Sequence, residues 1–147
     1  MSAVDILIVE DNRHDVAMML DAFHERKISD KVMVLRNGAE ALDYFFGLQG
    51  CLKKTDYRCP KFVLLDLKLP RVSGLEVLKR LKSDARTRNI PTIIFTSSNE
   101  VTDRVESYLL GANSYIVKPL NADCFSQCVG DIAAYWSTMN KTSDQDG

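Results

Sequence analysis

The sequence has neither an excess of positive charge nor a long apolar run, and each absence excludes a class of protein. Its 19 Lys and Arg residues nearly balance 20 Asp and Glu residues, which leaves a formal net charge of −1. Proteins that bind nucleic acid usually carry a strongly basic surface, so we expect no nucleic-acid partner. No apolar stretch approaches the length of a membrane span, and the N-terminus lacks the basic region and the long apolar segment of a signal peptide. We therefore expect a cytoplasmic protein without a membrane partner.

Cysteine and histidine are also scarce, and their spacing does not suggest a zinc site. The chain contains four cysteines and two histidines, namely Cys51, Cys59, Cys124, Cys128, His14 and His24. Neither histidine lies at a zinc-finger spacing from the pair Cys124 and Cys128. In a cytoplasmic protein these thiols are expected to stay reduced. We interpret the cysteines as small buried or half-buried residues.

What the sequence does contain is a regular alternation of strand and helix patterns. Short aliphatic runs predict strands, and apolar residues at i, i+3, i+4 and i+7 predict the helices between them. The predicted strands are Ile6–Val9, Lys31–Leu35, Phe62–Leu65, Thr92–Phe95 and Ser114–Val117. The first helix has this spacing at Val16, Met19, Leu20 and Phe23. A later helix, near Val101–Leu110, is expected to end at Gly111.

Five strands that alternate with helices predict an α/β fold with a parallel sheet covered on both faces. Because crossovers between parallel strands are right-handed, we expect a doubly wound, flavodoxin-like sheet in the order 2-1-3-4-5. The strands show no polar alternation, so each is expected to be buried on both faces. Residues 1–140 form one predicted domain, followed by a short polar tail, 141–147, and by no effector domain. The long segment Gly47–Pro60 could extend the second helix or form a loop that faces a partner.

Five polar residues directly follow strand ends: Glu10, Asp11, Asp66, Thr96 and Lys118. The carboxyl ends of parallel strands meet at one edge of the sheet, where open α/β sheets bind ligands. Three carboxylates, a hydroxyl and an ammonium suit a divalent cation and a phosphoryl group. Mg²⁺ fits best, because it binds through one or two carboxylates plus a phosphate. Helix capping is the alternative role for Glu10 and Asp11.

Asp66 and Lys118 have complementary roles in this chemistry. Asp66 can act as a nucleophile toward an activated phosphoryl group, although a carboxylate at a strand end can also cap the following turn. Lys118 can pair with Asp66 at rest and with a phosphoryl oxygen afterwards. Because Lys118 precedes Pro119, the chain there is extended or turned, and the sequence leaves open whether the bond between them is cis.

Thr96 and Tyr115 suggest a conformational switch. Thr96 is placed to bond a phosphoryl oxygen, whereas Ser98 or Asn99 is expected to cap the next helix. If Thr96 moves toward a phosphoryl group, space opens for the ring of Tyr115. Such a packing element with two arrangements can amplify a small shift.

The motifs that contain these residues resemble those of the response regulator receiver domain across residues 4 to about 138. They occur in order as ILIVEDN with Glu10 and Asp11, LLDLKLPRVSG with Asp66, Pro70 and Gly74, IIFTSS with Thr96, and GANSYIVKP with Tyr115 and Lys118. Within this family, the chain resembles single-domain regulators of the chemotaxis type. The resemblance implies Mg²⁺-dependent transfer of a phosphoryl group from the phosphohistidine of a histidine kinase to Asp66. It implies a phosphoacceptor signalling protein with self-phosphorylation and autodephosphorylation at Asp66, rather than a turnover enzyme.

The resemblance also assigns roles to particular residues. Thr96 and Lys118 are expected to hold the phosphoryl oxygens, and Thr96 with Tyr115 to form the switch. The family often forms homodimers through the face built from the fourth helix, fifth strand and fifth helix. The implied metal ligands are Glu10, Asp11, Asp66 and the backbone carbonyl of Lys68.

Two features depart from the commonest receiver pattern. Lys68 stands two residues after the acceptor, where many receivers carry Asn or Met, and its charge can change the lifetime of the phosphoryl group in either direction. The long Gly47–Pro60 segment and the missing effector domain resemble the small response regulators paired with phytochromes, which suggests a kinase of that type. A pseudo-receiver that binds other proteins without being phosphorylated is the alternative.

Overall fold

A computed structural model describes residues 4–54 and 57–143 of the chain. Within these residues, five parallel strands form one sheet in the order β2-β1-β3-β4-β5. The predicted α/β fold and its strand order are therefore confirmed. The strands are β1 (Ile6–Val9), β2 (Val32–Leu35), β3 (Phe62–Leu65), β4 (Thr92–Thr96) and β5 (Ser114–Val117). The helices are α1 (Arg13–Glu25), α2 (Gly38–Phe46), α3 (Gly74–Ser83), α4 (Val101–Leu109) and α5 (Ala122–Ala133).

Helices cover both faces of the sheet because alternate residues of each strand point to opposite sides. On one face, Ile8 belongs to a buried cluster with Phe23 of α1 and Phe125 of α5. On the other face, Val9 belongs to a second cluster, which includes Leu78 of α3 and residues of α2. The two clusters hold the central strands rigidly, so the positions of their C-terminal ends are well defined.

Burial is less complete at the edges of the sheet than the sequence predicts. Every residue of β1, β3 and β4 is buried, whereas β2 is half-buried throughout and β5 is half-buried or exposed. The expectation that all five strands are buried on both faces is wrong for β2 and β5. Each of these two strands pairs with only one neighbour, which leaves its outer edge uncovered.

Two helix termini bear on the functional site. Asn12 caps α1, because its side-chain oxygen accepts a hydrogen bond of 2.9 Å from the amide of Asp15. The alternative capping role for Glu10 and Asp11 is therefore wrong, and their carboxylates are available for other contacts. At the far end of α4, Gly111 has a φ of +107°, which confirms the predicted helix stop.

The connection between α2 and β3 is longer than any of the five helices. After α2 ends at Phe46, the segment Gly47–Pro60 contains a short 3-10 helix, Cys51–Lys53, so it does not extend α2. Beyond α5, residues Ala134–Met139 form a π-helical continuation. None of the four cysteines, all of which lie within the described residues, forms a disulfide bond. Among the described residues, the helices are too short or too polar to cross a bilayer. Residues 144–147 of the predicted tail lie outside the described chain.

Candidate functional site

Backbone hydrogen bonds continue the sheet one residue beyond the ends of β3 and β5, and this places two polar side chains. The amide of Asp66 donates to the carbonyl of Val9 at 3.1 Å. The amide of Lys118 donates to the carbonyl of Thr96 at 2.7 Å. Asp66 is thereby fixed beside the end of β1, and Lys118 beside the end of β4. The same edge of the sheet carries all of the polar residues predicted from the strand ends.

Three carboxylates meet at this edge. One carboxylate oxygen from each of Glu10, Asp11 and Asp66 lies within 4.8 Å of the others. Glu10 and Asp66 are buried, whereas Asp11 is exposed. The predicted acidic cluster is therefore present, with one side open to solvent. The distances also show that no movement of the backbone is needed to bring the three side chains together.

The Lys118 ammonium lies among these acids. Its Nζ is 3.0 Å from Asp66 Oδ2 and 2.8 Å from Asp15 Oδ2, and it donates a hydrogen bond to each. It also lies 2.7 Å from Glu10 Oε1. The side chain is only 9% exposed, so these ion pairs are weakly screened. All described peptide bonds are trans, including the one between Lys118 and Pro119.

Burial and neighbouring charges shift the pKa values of Glu10 and Lys118. Burial raises the pKa of Glu10 from its ordinary value of 4.5 to about 7; the charge of Asp66 adds to the rise, and the contact with Lys118 opposes it. Burial alone lowers the pKa of Lys118. The hydrogen bond to Asp15 and the contacts with Glu10 and Asp66 outweigh burial, so the pKa of Lys118 lies above its ordinary value. The pocket therefore holds more negative charge than a single lysine can neutralise.

This pocket fits a hard divalent cation. Glu10 Oε2 accepts a hydrogen bond of 3.1 Å from the amide of Asn12, but the buried Glu10 Oε1 accepts none from the described residues. The Lys118 ammonium lies 2.7 Å from this oxygen, but the same ammonium also faces Asp15 and Asp66, so a second cation would offset the negative charge that Lys118 leaves uncompensated. Carboxylate oxygens are the ligands that Mg²⁺ prefers. The donor set therefore agrees with the predicted metal.

The loop after β3 packs closely around Asp66. The amide of Gly74 donates to the carbonyl of Leu67 at 2.8 Å, and a Cβ atom at Gly74 would lie 2.0 Å from the carbonyl oxygen of Asp66. Only glycine allows this approach. Asp66 Oδ1 accepts a hydrogen bond of 3.3 Å from the amide of Lys68. The carbonyl of Lys68 stays a predicted metal ligand.

The structure links the two predicted switch residues through Ser98. Thr96 is fully buried, and its Oγ1 accepts a hydrogen bond of 3.3 Å from the amide of Ser98. The hydroxyl of Tyr115, which is half-buried, donates to the carbonyl of Ser98 at 3.0 Å. Ser98, in the loop between β4 and α4, therefore contacts both predicted switch residues.

The predicted cap of α4 is wrong. The capping position is Glu100, whose side chain makes no capping hydrogen bond, rather than Ser98 or Asn99. The hydroxyl of Ser98 instead donates to Asp103 Oδ2 at 2.5 Å and accepts from the amide of Glu100 at 3.3 Å. Ser98 thus braces the loop against the first turn of α4.

Asp15 is the site residue that the sequence analysis missed. It lies in the first turn of α1, where an acid is ordinarily explained by its favourable interaction with the helix dipole. Its contact with Lys118 joins residues 103 positions apart. The sequence did contain a signal. Asp15 lies on the helix that follows Glu10 and Asp11, and this helix begins close to the same strand end.

Comparison with known proteins gives one family. Residues 6–129 match the family described as the response regulator receiver domain. The chain is 36% identical over 137 residues to the probable methanogenesis regulatory protein FilR2 of Methanothrix harundinacea, covering 93% of this chain and 86% of FilR2. It is 31% identical over 131 residues to the response regulator Rcp1 of Synechocystis, covering 89% and 87% of the two chains.

Solved structures agree with the sequence comparison. The phosphorylated cyanobacterial phytochrome response regulator RcpA superimposes with a TM-score of 0.86 at 31% identity, over 97% of this chain and 100% of RcpA. The Mn²⁺-bound form of Rcp1 superimposes with a TM-score of 0.83 at 29% identity, over 95% and 98% of the two chains. The similarity therefore extends over nearly the whole of each chain.

Proposed function

The chain belongs to the response regulator receiver family, whose members are partnered by histidine kinases, and we propose that it accepts a phosphoryl group from such a kinase on Asp66. The observation that supports this most directly is the position of Asp66. It is a buried carboxylate at a strand end, it lies in an acidic cluster, and its Oδ2 is 3.0 Å from the Lys118 ammonium. We also propose that the protein lies in the cytoplasm, where cysteines such as these four, which form no disulfide bond, stay reduced.

In the proposed reaction, a carboxylate oxygen of Asp66 attacks the phosphorus of a phosphohistidine. The new O–P bond forms as the N–P bond breaks, and the electron pair of that bond returns to the imidazole nitrogen. Lys118 donates to one phosphoryl oxygen and the hydroxyl of Thr96 to another. Attack of water on the phosphorus later releases inorganic phosphate and restores the carboxylate, so the modification is reversible.

Glu10, Asp11 and Asp66 are the proposed Mg²⁺ ligands, together with the backbone carbonyl of Lys68. When bound, the cation offsets the repulsion between these carboxylates and the incoming phosphoryl oxygens. Two backbone amides of the protein hold these oxygen ligands in place. Asn12 fixes Glu10 through the hydrogen bond to its Oε2, and the amide of Lys68 fixes Oδ1 of Asp66.

Acetyl phosphate tests the acceptor without a kinase. With Mg²⁺ present, the mass of the intact protein should rise by one phosphoryl group, as the O–P bond to Asp66 forms and acetate leaves. Asp66→Asn should abolish the labelling, whereas Asp21→Asn, an exposed acid on α1, should leave it unchanged. Labelling that persists in Asp66→Asn would show that the acceptor is another residue, and a wild-type protein that does not label would leave the pseudo-receiver as the better description.

The proposed upstream kinase is of the phytochrome type. The support is the similarity to Rcp1 and RcpA, the second of which is described as a cyanobacterial phytochrome response regulator. The test is to mix the protein with purified, phosphorylated phytochrome kinases and with unrelated histidine kinases. Transfer within seconds from the phytochrome kinase, and much slower transfer from the others, is the expected result. Equal or reversed rates would exclude this assignment.

The proposed output is a homodimer through α4, β5 and α5. α4 exposes a group of large apolar side chains, namely Val101, Val105, Tyr108 and Leu109. The link from Thr96 to Tyr115 lies between the acceptor site and this surface, so phosphorylation can change its shape. A second copy of the chain is the proposed occupant, because an apolar surface on a small protein is commonly an interface.

Sedimentation with and without acetyl phosphate tests the dimer. Leu109→Glu should keep the phosphorylated protein monomeric, because it places a charge in the apolar surface of α4. Leu48→Glu is the matched control, since Leu48 is about as exposed as Leu109 but follows α2. A wild-type protein that stays monomeric when phosphorylated, or a Leu109→Glu variant that still dimerises, would exclude this surface.

A further inference from the structure

Lys118 is held by one acid that lies outside the proposed metal set. Its ammonium has three N–H donors, and three carboxylates lie within 3.0 Å of Nζ: Glu10, Asp15 and Asp66. Hydrogen bonds are formed with Asp15 and Asp66, whereas the contact with Glu10 is an ion pair without that geometry. Glu10 and Asp66 also belong to the acidic cluster, and Asp15 does not.

Asp15 is well fixed for this contact. It lies in the first turn of α1, and its amide donates to Asn12, so the helix start determines where the carboxylate lies. The packing of α1 against α5 is anchored separately, by an ion pair of 2.7 Å between Arg26 and Asp131. The Asp15 side chain is 17% exposed, so its charge is only partly screened by water.

The contacts of Lys118 with Glu10 and Asp66 cannot both persist through the proposed reaction. Phosphorylation converts the Asp66 carboxylate into an acyl phosphate and presents new oxygens to the ammonium. A divalent cation would compete with Lys118 for Glu10 Oε1. The hydrogen bond between Lys118 and Asp15 is affected neither by phosphorylation of Asp66 nor by a cation at Glu10.

We propose that Asp15 is a positioning residue, which holds the Lys118 ammonium at the acceptor site while its other partners change. This inference rests on the proposed function of Asp66. Lysine has a flexible four-carbon side chain, and a fixed carboxylate reduces the number of conformations that it samples. Without Asp15, the ammonium is held only by the acids that the metal and the phosphoryl group engage.

A purely structural role makes a different prediction. An acid in the first turn of a helix interacts favourably with the helix dipole, and this effect does not need Lys118. Under that explanation, replacing Asp15 weakens α1 equally whether or not Lys118 is present. A positioning role requires that the two residues act together, so their effects on rate should not be additive.

The first experiment follows Lys118 directly, in metal-free and unphosphorylated protein. In the wild type, the ammonium should give a protected signal in a proton–nitrogen correlation spectrum, assigned by its loss in Lys118→Arg. Asp15→Asn, which keeps the shape of the side chain and removes its charge, should shift this signal or abolish its protection. Asp21→Asn, the same change at an exposed position of α1, should leave it unchanged. An unchanged signal in Asp15→Asn would overturn the proposal.

The second experiment measures the initial rate of Asp66 labelling by acetyl phosphate. Asp15→Asn should slow labelling about 10-fold. This is the low end of the usual loss when a group that orients an active residue is removed. In a Lys118→Ala background, the same change should alter the rate less than about twofold, as expected when two residues act as one unit. Equal slowing in both backgrounds would overturn the proposal. If the wild type itself does not label, the proposed function fails first, which separates the two outcomes.

Discussion

The hydroxyl of Tyr115 donates a hydrogen bond of 3.0 Å to the carbonyl oxygen of Ser98, which joins β5 to the loop between β4 and α4. The amide of the same Ser98 donates to Thr96 Oγ1 at 3.3 Å. One loop residue therefore contacts both members of the predicted switch. If a ligand draws the Thr96 hydroxyl away, we expect the hydrogen bond from the amide of Ser98 to weaken and the position of the Tyr115 ring to change.

Tyr115→Phe should loosen the β4–α4 loop without changing the core. The variant loses one hydrogen bond, so the free energy of unfolding should fall by about 0.5–1.5 kcal/mol. Amide exchange at Ser98 should become faster. Tyr108→Phe is the control, because Tyr108 lies on the exposed side of α4. Unfolding in urea and hydrogen exchange measure the two effects, and unchanged exchange at Ser98 would contradict the link.

Gly74→Ala should disturb the backbone of the acceptor residue. A Cβ atom there meets the carbonyl oxygen of Asp66 at 2.0 Å and the Cα of Leu67 at 2.6 Å, and neither is a flexible group. Such overpacking costs about 1–3 kcal/mol of the free energy of unfolding. Labelling of Asp66 should slow as well, because the carboxylate moves with its backbone. Urea unfolding and labelling by acetyl phosphate check the two parts.

Gly130→Ala is the matched control for this prediction. The three atoms nearest to a Cβ at Gly130 in α5 belong to the guanidinium of Arg26, the far end of a flexible side chain that can move aside. Because alanine is favoured over glycine in a helix by up to about 1 kcal/mol, this variant should be neutral or slightly more stable. If Gly74→Ala and Gly130→Ala lose stability equally, close packing at Asp66 does not explain the loss in Gly74→Ala.

Most of the fold could be predicted from the sequence because strand burial and helical spacing are local patterns. The bounds of β3 and β5 are those predicted, and Gly111 ends α4 as its conformational freedom suggests. The meeting of Glu10, Asp11 and Asp66 follows from the strand order, since parallel neighbours end at the same edge.

The remaining features depend on tertiary contacts that spacing does not encode. Leu20 shares the helical spacing of the buried face of α1 but is 40% exposed, so spacing alone does not show which residues the rest of the fold covers. Ser98 was expected to cap α4 and instead braces it through Asp103. The contact between Asp15 and Lys118 arises only when the first and last thirds of the chain fold together.

Mg²⁺ should stabilise the folded protein, because the acidic cluster exists only in that state. At a concentration ten times its dissociation constant, a single-site ligand adds about 1.4 kcal/mol to the free energy of unfolding. Glu10→Gln and Asp66→Asn should each lose most of this response, because each removes a charged ligand. Asp21→Asn should keep it. Thermal unfolding with and without Mg²⁺ makes the comparison, and an equal response in all four proteins would exclude the cluster as the metal site.

A second lysine, the half-buried Lys82 of α3, lies at the end of the sheet where β4 and β5 begin. Its ammonium donates to the carbonyls of Arg88 and Ile90 and to Oδ1 of Asn113, at 3.0, 2.9 and 2.9 Å. None of the described carboxylates forms an ion pair with it at 4.0 Å or less. Burial lowers the pKa of Lys82 from its ordinary value of 10.5 to about 8.

This shift predicts how stability depends on pH. Between about pH 8 and 10.5, the unfolded state binds a proton at Lys82 that the folded state has released, so this residue makes the protein more stable as the pH rises. The difference in free energy of unfolding between the wild type and Lys82→Met should therefore grow in favour of the wild type from pH 8 upward. Urea unfolding at several pH values measures it. Lys79→Met, at an exposed position of α3, should keep the pH dependence of the wild type. A difference that shrinks with rising pH would mean that the pKa of Lys82 is raised rather than lowered.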